Sequence, residues 1–121
     1  MICHSRKFIF THVPKTGGNS VKQVLSLKGH NHDPLSLDRK KDPSYFTFAF
    51  VRNPWDRYNS AFWYLQSGGM GPPSGQDQTF KRNHIKDMTF KQFTHKWKNQ
   101  GPPIIHFHPQ VEFIDSDIDY I

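Results

Sequence analysis

Three groups of residues in this chain have the types and spacing to handle a multiply charged anion. The first is Pro14-Lys15-Thr16-Gly17-Gly18-Asn19-Ser20, which directly follows the apolar run Phe8-Ile9-Phe10-Thr11-His12-Val13. A strand that turns through glycines into a helix aims several backbone N–H groups at one point, and the positive end of the helix dipole aims there too. Lys15 adds a mobile full charge that can follow a leaving oxyanion. The second group is Arg52 and Ser60, a forked guanidinium and a hydroxyl either side of an expected helix start, which suit a second phosphate. The third is the histidine turn Gly29-His30-Asn31-His32-Asp33. Its imidazoles could take a proton near neutral pH.

The loop is not a Walker A sequence. That motif places its lysine after the glycines and follows it with Ser or Thr, whereas Lys15 precedes Gly17 and Gly18. The order argues against an ordinary ATP or GTP site with bound magnesium, while the loop itself reads as a cradle for a phosphorylated or sulfated nucleotide. Read alone, the loop could also be a Gly-Gly turn with an exposed lysine. Arg52 could be a helix-end salt bridge to Asp56 or Asp33, and Ser60 a solvated hydroxyl. Two such motifs in this order, each at a strand-to-helix junction, point jointly to a site.

The elements that must position these groups are readable from pattern. Residues 8–13 form an apolar strand, and a helix is expected over about 20–28, with Val21, Val24 and Leu25 on one face. Residues 45–51 (Tyr-Phe-Thr-Phe-Ala-Phe-Val) read as a strand buried on both faces of a parallel sheet. Asn53 can cap the following helix, with Pro54 at its first position and Asp56 at the third. Ser60 then falls two turns in, on the face of Arg57 and Tyr64. Residues 66–78 form a flexible Gly/Pro loop. Thr89 and Gln92 make a capping box, ahead of a helix with Phe90, Phe93 and Trp97 on one side.

The run Pro14 to Ser20 resembles the 5'-phosphosulfate loop of sulfotransferases that use 3'-phosphoadenosine 5'-phosphosulfate (PAPS). The segment from Arg52 to Ser60 resembles the 3'-phosphate-binding element of the same family. The later Pro109-Gln110 with its following aromatic resembles carbohydrate sulfotransferases of the heparan sulfate 2-O and chondroitin 4-O type and their short microbial and viral relatives. Asp117-Ile-Asp-Tyr-Ile121 resembles the strand before a Gly-Arg-Phe-Glu type motif in those proteins, a motif that does not occur here. The resemblance therefore covers the N-terminal and middle part of the family domain.

The resemblance implies an α/β fold, a three-layer sandwich with a central, mostly parallel sheet like the P-loop kinase-like sulfotransferase fold, present in part as one domain over residues 1–121. It implies transfer of a sulfuryl group from PAPS to a hydroxyl acceptor, expected to be a carbohydrate, with no metal required. Lys15 and the N–H groups of Thr16, Gly17, Gly18, Asn19 and Ser20 would hold the 5'-phosphosulfate, and Arg52 and Ser60 the 3'-phosphate. The histidine turn resembles the position of the family's catalytic base: His32 is the first candidate and His30 the second, with Asp33 able to orient either. Both could instead be solvated loop residues.

Composition fits a polyanion-handling domain. Sixteen Lys plus Arg against ten Asp plus Glu give a net charge of +6, and eleven Phe, four Tyr and three Trp supply core pieces for a fold of modest size. A basic module that stacks on nucleic-acid bases is the alternative from composition. The aromatics lie at strand or helix spacing, and no RNA-binding signature is present, so no specific nucleic acid is expected as a partner. A single cysteine, Cys3, excludes an intrachain disulfide and a CxxC zinc site. His106 and His108 alternate on a strand-like run, yet nothing in the spacing of the histidines fixes a zinc geometry. The acidic stretch 115–119 lacks the glycine of a calcium loop and reads as a solvated strand edge. The first strand begins too early for a signal peptide or membrane anchor. A soluble intracellular or cytoplasmic chain is therefore expected, or a fragment of a longer enzyme, since full-length Golgi relatives carry an anchor. Rival readings are a truncated nucleotide-binding protein without turnover, a nucleotide or small-molecule kinase, and a general polyanion binder.

Overall fold

A computed structural model describes residues 1–28, 43–114 and 118–121. These fall into two compact units: Met1–Arg52 together with Pro109–Ile121, and Asn53–His108.

The first unit is built on a small mixed sheet of order β1-β2-β3, formed by Ile2–Cys3, Phe8–Thr11 and Phe46–Ala49. β1 runs antiparallel to β2, and β2 runs parallel to β3 in the register Phe8↔Phe46 to Thr11↔Ala49. The parallel pair is the one the sequence led us to expect. The antiparallel β1 is an addition, because a two-residue strand carries no period to read. The Met1 main chain caps this edge: its ammonium donates to the Phe10 carbonyl at 2.8 Å and its carbonyl accepts from Phe10 N–H at 2.8 Å.

One face of the β2–β3 pair consists of Ile9, Thr11, Thr47 and Ala49, all fully buried. Phe8, Phe10, Phe46 and Phe48 share the other, with centroids 5.2–6.1 Å apart across and along the strands. Burial of 45–51 on both faces is therefore corrected: Phe46 is 52 % exposed and Val51 46 %. The aromatics stabilise each other as cross-strand pairs at the edge of the solvent. On the far side of β3, Tyr120 forms a parallel bridge to Phe48, and Asp119 Oδ2 accepts from both the N–H and the hydroxyl of Thr47 at 2.7 Å. Asp119 is thus a structural acceptor rather than a merely solvated edge residue. Residues 115–117 of that acidic stretch lie outside the described residues.

Helix α1, Gly18–Val24, follows β2. It starts earlier and is shorter than the expected 20–28, because Ser26 takes a left-handed backbone (φ 52°) and ends it.

The second unit begins with α2, Pro54–Gln66, capped as its sequence dictates: Asn53 Oδ1 accepts from Trp55 N–H at 3.0 Å. Its inner face joins Phe62 and Leu65 to Phe80, Ile85, Phe93 and Ile104 in the apolar cluster of this unit. α3, Gln76–Phe80, takes up the end of the expected Gly/Pro loop and runs into a wider helical turn at Lys81–Ile85. α4, Phe90–Lys96, carries the complete Thr89/Gln92 capping box and buries Phe93, as expected.

The strand expected around His106 and His108 is instead a 3₁₀ turn, Ile105–Phe107. Two causes are visible. Pro109 has no N–H to give a ladder, and the carbonyls of His106 and His108 are both taken by the buried Arg57 guanidinium, at 3.1 and 2.5 Å. Burial pushes the pKa of Arg57 below its ordinary value. The two histidines differ accordingly: His108 is exposed, whereas His106 is buried, with Nε2 3.0 Å from Asp77 Oδ1. Among the described residues no helix is long and apolar enough to cross a membrane.

His84 sits between Phe80 and Trp97, at 4.8 and 5.6 Å between centroids. Desolvation there, and secondarily the Lys96 ammonium, hold its pKa below 6.5. The unfolded chain therefore binds this proton more readily than the folded one. The contribution of the neutral ring is complete above pH 6.5 and is lost as pH falls through 6.5 toward the lower folded value. Thermal midpoints of wild type and His84→Gln, compared from about pH 7.5 to about pH 5, should show the wild type losing more on acidification. Parallel pH profiles would contradict this.

Candidate functional site

Parallel pairing with Thr11 opposite Ala49 brings the carboxyl ends of β2 and β3 side by side, about 4.8 Å apart as neighbouring strands are. The chain leaving β2 is the glycine loop. The chain leaving β3 is Phe50-Val51-Arg52. In open α/β sheets this edge is where ligands bind.

The loop has the backbone of an anion cradle. Lys15 (φ 69°) and Gly17 (φ 87°) both adopt left-handed conformations on either side of Thr16. Such alternation turns successive N–H groups toward a shared concavity. For a lysine this conformation carries strain of about 1–3 kcal/mol, so the surrounding structure must impose it. Thr16 Oγ1 helps by donating to the Val13 carbonyl at 2.9 Å. Val13 and Pro14 are buried and hold the loop's entry.

The N–H groups of Thr16, Gly17 and Gly18 have no acceptor among the described residues. That of Ser20 is engaged by the Gly17 carbonyl at 2.9 Å. Ser20 can therefore offer a ligand its exposed hydroxyl but not its main chain, which amends the expectation for this residue. Asn19 is exposed in the same turn.

His12 shapes the loop from beneath. Its buried ring stacks on Phe10 at 6.0 Å between centroids and lies against Gly18. A Cβ at residue 18 would come within 2.0 Å of His12 Nε2. Glycine is thus required at 18 for space, and at 17 for its left-handed backbone, where a Cβ would meet nothing within 4 Å.

Arg52 is exposed, and its guanidinium has no hydrogen-bond or ion-pair partner among the described residues. Its main chain is held at both polar atoms by one side chain: Gln110 Oε1 accepts from Arg52 N–H at 3.0 Å, and Gln110 Nε2 donates to the Arg52 carbonyl at 2.9 Å. Sequence reading did not foresee this clamp. The only signal for it was the Pro109-Gln110 pair, which marks a position but no partner.

Ser60 is half-buried on α2, in the second unit, and its hydroxyl has no hydrogen bond among the described residues. His30, His32 and Asp33 lie outside the described residues. Among the described residues no group of three or more His, Cys, Asp or Glu converges as metal ligands would.

The glycine loop and the Arg52 segment therefore leave the same edge of a small α/β sheet. The sequence profile of the sulfotransferase family matches residues 1–118, and the chain belongs to that family. No curated protein and no solved structure shows significant similarity to it.

The two glycines should respond differently to substitution. Gly18→Ala forces the His12 ring or the loop to move, at about 1–3 kcal/mol, and should lower the thermal midpoint and nucleotide affinity together. Adding His12→Ala should recover part of both. Gly17→Ala should cost only about 1 kcal/mol of left-handed strain, with no rescue by His12→Ala. Melting curves and nucleotide titrations of the four variants check this, and rescue of Gly17→Ala instead would contradict the assignment.

Proposed function

We propose that the chain is a PAPS-dependent sulfotransferase that transfers a sulfuryl group to a hydroxyl, expected to be that of a carbohydrate. The observation that carries this reading is the adjacency of the glycine loop and Arg52 at the ends of paired parallel strands, together with family membership. The N–H groups of Thr16, Gly17 and Gly18 and the Arg52 guanidinium lack partners among the described residues, as groups kept for an anion would. Two anion-binding groups on neighbouring strand ends suit a nucleotide phosphorylated at two places better than one with a single phosphate chain.

In the proposed reaction the acceptor oxygen attacks sulfur as the bond from sulfur to the 5'-phosphate oxygen breaks. The products are a sulfate ester and 3'-phosphoadenosine 5'-phosphate. Lys15 and the main-chain N–H groups of Thr16, Gly17 and Gly18 stabilise the charge that develops on the leaving phosphate, with Asn19 and the Ser20 hydroxyl alongside. Positioning and charge stabilisation supply most of the acceleration, as in phosphoryl transfer. Arg52 and Ser60 hold the 3'-phosphate, the latter by motif resemblance. His32, or His30, takes the acceptor's proton. The scheme uses no metal.

Isothermal titration with 3'-phosphoadenosine 5'-phosphate against ADP tests the donor site. Preference for the 3'-phosphorylated nucleotide is expected, and equal or absent binding by the folded chain would refute the reading. Lys15→Ala should reduce sulfuryl transfer by about 10²–10³-fold while weakening 3'-phosphoadenosine 5'-phosphate binding far less. Equal losses would remove Lys15 from the leaving-group role. Arg52→Ala should weaken that ligand by about 10- to 100-fold, the worth of a charged hydrogen-bonded pair. It should leave adenosine 5'-phosphosulfate nearly unaffected, and a loss shared by both nucleotides would indicate a folding defect.

A further inference from the structure

Gln110 contributes nothing to charge and is not among the groups assigned above, yet its side chain makes two hydrogen bonds to a single residue. Its carboxamide oxygen takes the Arg52 N–H at 3.0 Å and its carboxamide nitrogen gives to the Arg52 carbonyl at 2.9 Å. We propose that Gln110 is a positioning residue for 3'-phosphate recognition, clamping the main chain of Arg52 so that the guanidinium is held at the carboxyl end of β3. The inference rests on the 3'-phosphate role proposed for Arg52.

β3 ends at Ala49, so Arg52 lies three residues beyond its last ladder position. Among the described residues the chain there has no sheet partner to fix it, and an exposed arginine on such a segment would sample many positions. Anchoring both polar atoms of its main chain restricts the torsions on either side, and with them the volume the side chain can sweep. Ordering that would otherwise be lost on binding is then already present.

The clamp is itself anchored. Gln110 opens the 3₁₀ turn Gln110–Glu112, its carbonyl accepts from Phe113 N–H at 3.1 Å, and Phe113 is buried at 4 % exposure. Only a carboxamide of this length both accepts and donates in one plane. Glutamate would keep the accepting arm and lose the donating one, and methionine would lose both.

The test is a double-mutant cycle in the full chain, with Gln110→Met, Arg52→Ala and both together, titrated with 3'-phosphoadenosine 5'-phosphate and with ADP. Gln110→Met should weaken the 3'-phosphorylated nucleotide about tenfold and leave ADP unchanged. In the Arg52→Ala background it should cost nothing further. A merely structural role would lower both nucleotides alike, or cost as much without Arg52 as with it, and either result overturns the inference.

Should Gln110→Met not fold, Gln110→Glu replaces it. Its added charge would repel phosphate with or without Arg52, so only the part of its effect that vanishes with Arg52 counts as positioning, and no such part overturns the proposal. Failures of the two readings are distinguishable. Loss of 3'-phosphate preference in Arg52→Ala but not in Gln110→Met defeats the clamp alone. A wild type without that preference, or an Arg52→Ala that keeps it, defeats both.

Discussion

Everything at the candidate site depends on the parallel pairing of β2 with β3. Antiparallel neighbours would put the ends of the two strands on opposite edges of the sheet. Parallel neighbours put them on the same edge, and the register Thr11↔Ala49 makes them level. From that one constraint the glycine loop and the Arg52 segment leave the sheet together. A parallel pair needs a long crossover, and the loop and α1 form its start. The element that closes the geometry thus also supplies the glycine loop.

The pairing is weak by itself, since the strands have four residues each. Its support comes from both faces. Ile9, Thr11, Thr47 and Ala49 are removed from water on one side, and an aromatic array covers the other. At the outer edge, the two bonds from Thr47 to Asp119 hold the next stretch of chain against β3. The sheet is therefore small but fixed where it matters, next to the two strand ends.

What was legible in the sequence was local. The Asn53 cap, Pro54 at the first helical position and the Thr89/Gln92 box each involve residues within three positions of one another, and each formed as read. The apolar content of residues 8–13 and 45–51 gave two strands and their parallel relation, while the exposure of 45–51 was misjudged. Phenylalanine marks a strand whether it is covered or faces water, so composition does not separate the two. Long-range polar contacts were not legible. Arg57 looks like an ordinary surface residue of an amphipathic helix until the carbonyls of His106 and His108, about fifty positions away, account for its burial. The Gln110 clamp is hidden for the same reason: an amide side chain can bond almost anything, and nothing at position 52 announces a need for it.

The site combines rigidity and freedom in a definite order. The main chain is restrained: Lys15 is kept left-handed, Gly18 is pressed against His12, and both polar atoms of Arg52 are bonded. The groups that would meet an anion, the Arg52 guanidinium and the N–H groups of Thr16, Gly17 and Gly18, have no hydrogen-bond partner of their own among the described residues. For the proposed sulfuryl transfer this division is the useful one. Donors whose frame is already set need little reorganisation when charge develops, so more of their attraction goes to stabilising the transition state. The left-handed lysine follows the same logic. Its strain is tolerable only because buried Val13 and Pro14 and the Thr16 hydroxyl hold the loop, and relaxing it would disperse the N–H groups that the turn gathers.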